Sequence, residues 1–352
     1  METFFLIAIV LLIFLVIFQI SKASEYVSVL KGEEKAMRQS NKINGFLMIA
    51  FLILGLIGVW YCNKLFYPGN LFSWGAASEE GLIIDKMMWT VIYITGFVFF
   101  ATQILLFGFA YKYQYSDKRK ALYYPHNNTL EFIWTSVPAI TLTILIIIGL
   151  KHWFKFTGDA PKGSQIVEIT GHQFAWEMRY PGKDGVLGRK NFKLTDAAKG
   201  NPLGIDWKDQ ASRDDVHVPT TMYVVVNKPV KLVINSQDVV HDVGLPAFRL
   251  KMDAVPGMPT TLFFTPIYTT EQMKEKTGNP DFEYEIVCDQ LCGKGHFSMK
   301  GIVKVVTQVE YNAWFRNQKS AFSRAQEAAL SAMNEGEAPA KVDTQNDLAL
   351  EN

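Results

Sequence analysis

The sequence predicts N-terminal transmembrane α-helices followed by an all-β sandwich or barrel, closed by a C-terminal helix and a polar tail. Three observations carry this. The long uncharged apolar stretches fall in the first 150 of 352 residues. From residue 164 onward, short β-rich pieces alternate with turn residues. Beyond about residue 308 the texture turns helical and then acidic. Lys+Arg 35 against Asp+Glu 34 leaves a net charge of +1, which argues against a nucleic-acid binder. Three cysteines cannot build a disulfide framework, and two of them lie four residues apart, which points toward a metal.

Residues 1–152 form the membrane region. Its uncharged runs are 3–20, 45–61, 87–111 and 132–150, against the roughly 20 apolar residues that cross a hydrocarbon core about 30 Å thick. The segment after the first run carries Lys22, Lys31, Lys35, Arg38 and Lys42, and the segment before the fourth carries Lys112, Lys118, Arg119 and Lys120. Between them, residues 62–86 hold only Lys64 and Lys86, with Glu79, Glu80 and Asp85 beside them. Positive charge stays on the cytoplasmic side. Four spans with both termini outside therefore fit a bacterial-type cytoplasmic membrane, and everything beyond residue 150 emerges on the outer (periplasmic) side. A cleaved signal peptide is the competing reading of the first run. It would put residues 21–44 outside against their charge, and Met1-Glu2 is not a basic start.

Residues 153–315 form the outer domain. Strands are expected at 166–170, 222–226, 230–235, 260–265, 284–287 and 302–306, with no long amphipathic helix between them. Residues 181–214, rich in Gly, Lys and Asp, read as a surface excursion. A helix is expected over 310–324. In the C-terminal segment 316–352, Glu327, Glu335, Glu337, Asp343, Asp347 and Glu351 outnumber Lys341, and a mobile tail is expected over 335–352.

The decisive segment runs from Cys288 through Cys292 and His296 to Met299. It offers two thiolates, an imidazole and a thioether within twelve residues, and Gly293 and Gly295 let the backbone turn tightly between them. Thiolate and thioether are soft donors that suit copper or zinc, and methionine favours copper. A mononuclear electron-transfer copper needs one cysteine; the second would bridge a pair of copper ions. His241, expected at the end of the strand 230–235, is the candidate second imidazole. His126 and His152 sit in or beside the membrane region, while His172 and His217 read as satisfied polar residues. A zinc site or a disulfide is the bland reading of Cys288 and Cys292. Cys62 reads as a plain interfacial cysteine.

The chain resembles subunit II of the haem–copper cytochrome c oxidases, which carries the dinuclear CuA centre. The matching stretches are LEFIWTSVPA at 130–139, GHQFAW at 171–176, DVVH at 238–241, LKMDAVPG at 250–257 and the cysteine loop. They run in family order from about residue 87 to 315. The resemblance implies a cupredoxin sandwich and copper ligation by His241, Cys288, Cys292, His296, Met299 and the peptide oxygen of Gln290. The family usually has Glu where Gln290 stands, and its side chain also helps hold magnesium at the border with the catalytic subunit. Gln290 lacks that charge, while Asp253 matches a family acid near the magnesium. Phe174 stands where the family has the tryptophan that takes electrons from cytochrome c, with Trp176 two positions on. Glu131 matches the acid at the mouth of a proton path. The two spans before residue 87 depart from the usual two-helix pattern and imply added contacts with neighbouring subunits or a cytochrome-bearing donor complex.

The implied function is electron transfer, from a cytochrome c on the outer side through CuA to haem in the catalytic subunit of a proton-pumping oxidase. This chain offers no Cys-x-x-Cys-His haem attachment, and no haem is expected in it. Alternatives of other classes are a copper-delivery or assembly membrane protein and the CuA subunit of a nitric oxide reductase. A quinol oxidase subunit would lack these ligands.

Overall fold

A computed structural model describes residues 2–70, 72–116 and 118–334. The chain divides into two compact units, one drawn from residues up to 70 with 89–139, the other from 71–88 with residues from 140 onward.

Four long helices supply the apolar half: α1 (Glu2–Lys31), α2 (Glu33–Phe66), α3 (Glu79–Lys112) and α4 (Asn128–Thr157). All four are long and apolar enough to cross a membrane. Each outruns its apolar run, because 30 to 34 residues span about 45–51 Å at 1.5 Å per residue. The basic segment 21–44 is accordingly a pair of polar helix extensions rather than a loop. Good helix formers fill it, and the pairs Lys22–Glu25 and Arg38–Glu34, both 2.8 Å, brace its turns. Gly32 alone separates the two helices, with φ of 84°, a conformation glycine adopts at little cost.

The second unit is a sandwich of two five-stranded sheets. One has the order β3 (Val216–Pro219), β2 (Ala175–Tyr180), β1 (Gln165–His172), β5 (Val230–Ser236), β8 (Thr260–Phe264). The other runs β4 (Thr221–Val225), β10 (Lys300–Val306), β9 (Tyr284–Cys288), β6 (His241–Leu245), β7 (Leu250–Ala254). β1 pairs β5 and β10 pairs β4 in parallel; the other pairings are antiparallel. Alternation turns Val167, Ile169, Trp176, Met178, Leu232 and Ile234 inward from the first sheet, against Met222, Val224, Val243, Ile286 and Val303 from the second.

Four of these strands, β2, β3, β6 and β7, are absent from the sequence-based expectation. In β2 the charged Glu177 and Arg179 break the apolar look. In β6 the residues Asp242 and Gly244 have low strand propensity, yet all five positions are buried. His241 is therefore not at the end of the strand 230–235. That strand is β5 of the first sheet, while His241 opens β6 in the second. The reason is a turn at 236–240, where Ser236 Oγ donates to Val239 O at 2.5 Å and Val239 N–H donates to Asp238 Oδ1 at 2.7 Å. It carries the chain across from one sheet to the other.

Residues 72–85, expected as a plain outer loop, pack into the sandwich. Ala77 N–H donates to Ala247 O at 2.8 Å, Thr265 N–H to the buried Glu80 carboxylate at 2.8 Å, and Arg249 pairs with Asp85 at 2.8 Å. A short helix not anticipated from sequence, α5 (Thr270–Thr277), starts on a capping box of Thr269 and Gln272. The excursion 181–214 carries 3-10 turns at Phe192–Leu194 and Gln210–Arg213 and isolated bridges pairing Lys190 with Ile205 and Asp196 with Asn201. It still has a small core, Leu203 and Ile205 with Ala321. The expected helix 310–324 is two: α6 (Gln308–Arg316) and α7 (Ala321–Asn334). Ala321 N–H is bonded to Asp215 O at 2.8 Å, and Ser320 Oγ accepts from Ser323 N–H at 3.2 Å, so the chain restarts rather than continuing. The expected mobile tail lies outside the described residues.

Candidate metal centre

β6 and β9 run side by side with Val243 opposite Cys288. His241, two residues back along β6, stands level with the start of the loop 289–299. That loop folds on itself through His296 N–H to Gly293 O and Ser298 N–H to Gly295 O, both 3.1 Å, and Met299 N–H to His296 O at 3.2 Å. Gly293 has φ of 133°, a region closed to most side chains.

The donors converge. Cys288 Sγ lies 3.8 Å from His241 Nδ1, 3.8 Å from Cys292 Sγ and 3.2 Å from Gln290 O. Cys292 Sγ lies 3.7 Å from His296 Nδ1 and 4.0 Å from Met299 Sδ. Two thiolates on a common tetrahedral metal at about 2.3 Å stand about 3.8 Å apart, so this spacing fits metal ligation without rearrangement. His241, Cys288, Cys292 and Met299 are buried. Burial, with Cys288 beside it, pushes the Cys292 thiol up to about 11. A bound metal must displace that proton.

Asp238 sets which imidazole nitrogen faces the sulfurs. Burial raises its carboxyl, but bonds from His241, Gln173 N–H and Val239 N–H outweigh this and hold it below the usual range. The carboxylate therefore accepts from His241 Nε2 at 2.8 Å, which leaves Nδ1 with its lone pair toward Cys288. Asp238 is a functional neighbour the sequence reasoning passed over, although it lies inside the DVVH stretch. Gln173 is another: its side-chain amide donates to Cys292 O at 2.6 Å, and its N–H to Asp238 Oδ2 at 2.7 Å.

The remaining site candidates fall in several places. Trp176 is 0% exposed, edge-on to His241 with ring centroids 5.9 Å apart. Phe174 is 38% exposed. Asp253 is exposed on β7 opposite Asp242, and Gln290 is exposed with its carbonyl turned to Cys288. Glu131 lies in the first turn of α4, in the other unit. Cys62 is exposed in α2.

His172 and His217 belong to a separate cluster on Glu177, at 3.3 and 2.6 Å. Burial raises Glu177, but these two bonds dominate and hold it at about 2 instead of 4.5. A depressed acid stabilises the fold above its unfolded pKa and loses that contribution as pH falls toward the folded one. The stability gap between wild type and Glu177→Gln is therefore expected to close as pH drops from 4.5 toward about 2. Thermal unfolding across that range checks it; a gap independent of pH would count against the cluster.

Known proteins resemble the chain over most of its length. The family profile described as cytochrome c oxidase subunit II, periplasmic domain, matches residues 165–306. The transmembrane-domain profile of the same subunit matches residues 75–152. The alternative cytochrome c oxidase subunit 2 of Bradyrhizobium diazoefficiens is 33% identical over 275 residues, covering 78% of this chain and 93% of that protein. The cytochrome c oxidase subunit 2 of Cereibacter sphaeroides is 29% identical over 240 residues, covering 65% of this chain and 73% of that one. Among solved structures, the periplasmic domain of subunit II of cytochrome oxidase from Bradyrhizobium japonicum is 26% identical, covers 47% of this chain and 99% of its own, and has a TM-score of 0.32. With the apolar helices, the β-sandwich and the His–Cys–Cys cluster in place, the chain belongs to the cytochrome c oxidase subunit II family and is subunit II of a haem–copper oxidase.

Proposed function

We propose that this subunit takes electrons from a cytochrome c on the outer side of a bacterial cytoplasmic membrane and passes them through a dinuclear copper centre. The acceptor is haem in the catalytic subunit of a proton-pumping oxidase, where O2 is reduced. One observation carries the reading: two buried thiols, two imidazole Nδ1 atoms, a thioether and a peptide oxygen converge with neighbouring donors 3.2 to 4.0 Å apart.

His241, Cys288, Cys292, His296, Met299 and the Gln290 carbonyl would hold the copper pair. When bound, the pair supplies a one-electron relay whose charge change is spread over two metals and two thiolates. The protein's own part is to hold the donors still and dry. The loop is anchored at both ends in strands of one sheet, which keeps ligand movement small, and Asp238 fixes His241. Phe174 offers the exposed edge toward a donor, and Trp176 backs His241 from inside. Exposed Leu291 and Phe297, 76% and 85% accessible, give the loop an apolar outer rim suited to contact with another protein. The buried thiols favour permanent metal over the accessible pair a copper-delivery protein needs.

Gln290 lends no carboxylate, and Asp253 does not join the His241–Cys288–Cys292 group of close ligand atoms. A magnesium ion at this edge would therefore need ligands from the catalytic subunit, with Asp253 acting on its surroundings. The helices α1 and α2 would add contacts to lipid and to neighbouring oxidase subunits.

Glu131, at the start of α4 on the side that the loop charges assign to the cytoplasm, would stand at the mouth of a proton path. Glu131→Ala is expected to slow turnover with copper content unchanged; unaltered turnover would remove that role. The function itself is tested by O2 uptake of the purified complex supplied with reduced cytochrome c. Reduction of nitric oxide in place of O2 would move the reading to a nitric oxide reductase.

A further inference from the structure

We propose that Gln173 is a positioning residue that clamps Phe174 onto the backbone of the metal loop, so that electrons come in on the Cys292–His296 side of the centre. The inference rests on the copper-relay reading above and adds the residue that holds the entry ring in place. Gln173 sits in the turn between β1 and β2 and makes two bonds into the site. Its side-chain amide donates to the carbonyl of Cys292 at 2.6 Å, and its N–H donates to Asp238 at 2.7 Å. The turn is thus tied to the metal loop on one side and to the support of His241 on the other.

The next residue shows what this clamp achieves. A Cβ placed on Gly295 would lie 2.6 Å from the Phe174 ring, and one on Gly293 would lie 3.2 Å from it and 2.9 Å from the Gln173 amide. The ring therefore rests directly on the peptide backbone that joins Cys292 to His296, with no side chain between. Gly295 has an ordinary φ of −96°, so its lack of a side chain answers to the ring above it and not to a backbone demand. Phe174 is also 38% exposed. Of the two aromatic residues Phe174 and Trp176, Phe174 reaches both solvent and the loop, whereas Trp176 touches His241 from within and has no exposed surface.

The experiment uses the purified oxidase with its copper and haem, mixed rapidly with reduced cytochrome c. Gln173→Met removes the amide donor at similar size, and Gly295→Ala pushes the ring off the loop without touching the hydrogen bonds. Each is expected to lower the maximal rate of copper reduction by about tenfold to a hundredfold, since a misplacement of about 1 Å can cost up to about a hundredfold. The donor KM and the copper paramagnetic signal stay unchanged. Adding Phe174→Leu to either variant brings no further loss, because all three break one contact. Wild-type rates in Gln173→Met or Gly295→Ala, losses that multiply with Phe174→Leu, or slowing that only tracks lost copper would overturn the clamp. Absence of a two-copper signal from the unaltered protein would instead overturn the functional reading beneath it.

Discussion

Cys288→Ser and Cys292→Ser are each expected to abolish the two-copper signature and leave at most a mononuclear site. Both sulfurs lie within 3.8 Å of each other, and each also faces its own imidazole. A serine oxygen at either place is a hard, protonated donor that cannot bridge soft metal ions. Both sulfurs border the sandwich core, but replacing sulfur by oxygen changes size little, so the fold should survive. Metal analysis with visible and paramagnetic spectra of the purified protein checks this. A normal two-copper spectrum in either variant would contradict the ligand assignment.

Arg179→Ala is expected to cost about 3–5 kcal/mol of stability, the cost of leaving buried charges without their partner. Arg179, Glu168 and Asp215 are all buried on the outer face of the first sheet, with Arg179 at 2.5 Å from Glu168 and 2.8 Å from Asp215. Lys190 of the excursion closes on Glu168 at 2.9 Å. Burial pushes Asp215 up to about 7 against the pull of Arg179. At about 2–4 °C per kcal/mol for a domain of this size, Tm should fall by about 10 °C. Combining Arg179→Ala with Glu168→Gln and Asp215→Asn should recover part of the loss, because the stranded charges go with it. No recovery would mean that the guanidinium acts by filling space.

What could be read from the sequence follows from how local each signal is. The four apolar runs and the Cys288–Met299 loop are contiguous, and their chemistry is visible without knowing the fold. His241 could be named as the partner of the loop, but not placed. Its strand is a strand only because β7 and β9 flank it and bury all five of its residues. The outer face of the first sheet likewise leaves no local sign of its burial. Glu168 and Arg179 are charged strand residues, yet Lys190 and Gly188 of the excursion close over them. Asp238 and Gln173 lay inside quoted stretches, but a hydrogen bond across more than a hundred residues, such as Gln173 to Cys292, leaves no periodic trace. Segment 72–85 is short and mixed in character, and only its bonds to Ala247 and Thr265 reveal that it belongs to the sandwich.

The central claim is that Cys288, Cys292 and their neighbours hold two copper ions that share one unpaired electron. Metal content with electron paramagnetic resonance on the purified full-length subunit in its oxidase tests it most directly. The account predicts two coppers bound by this chain and a delocalised mixed-valence signal. A single zinc, or one copper with the signal of an isolated ion, would contradict it.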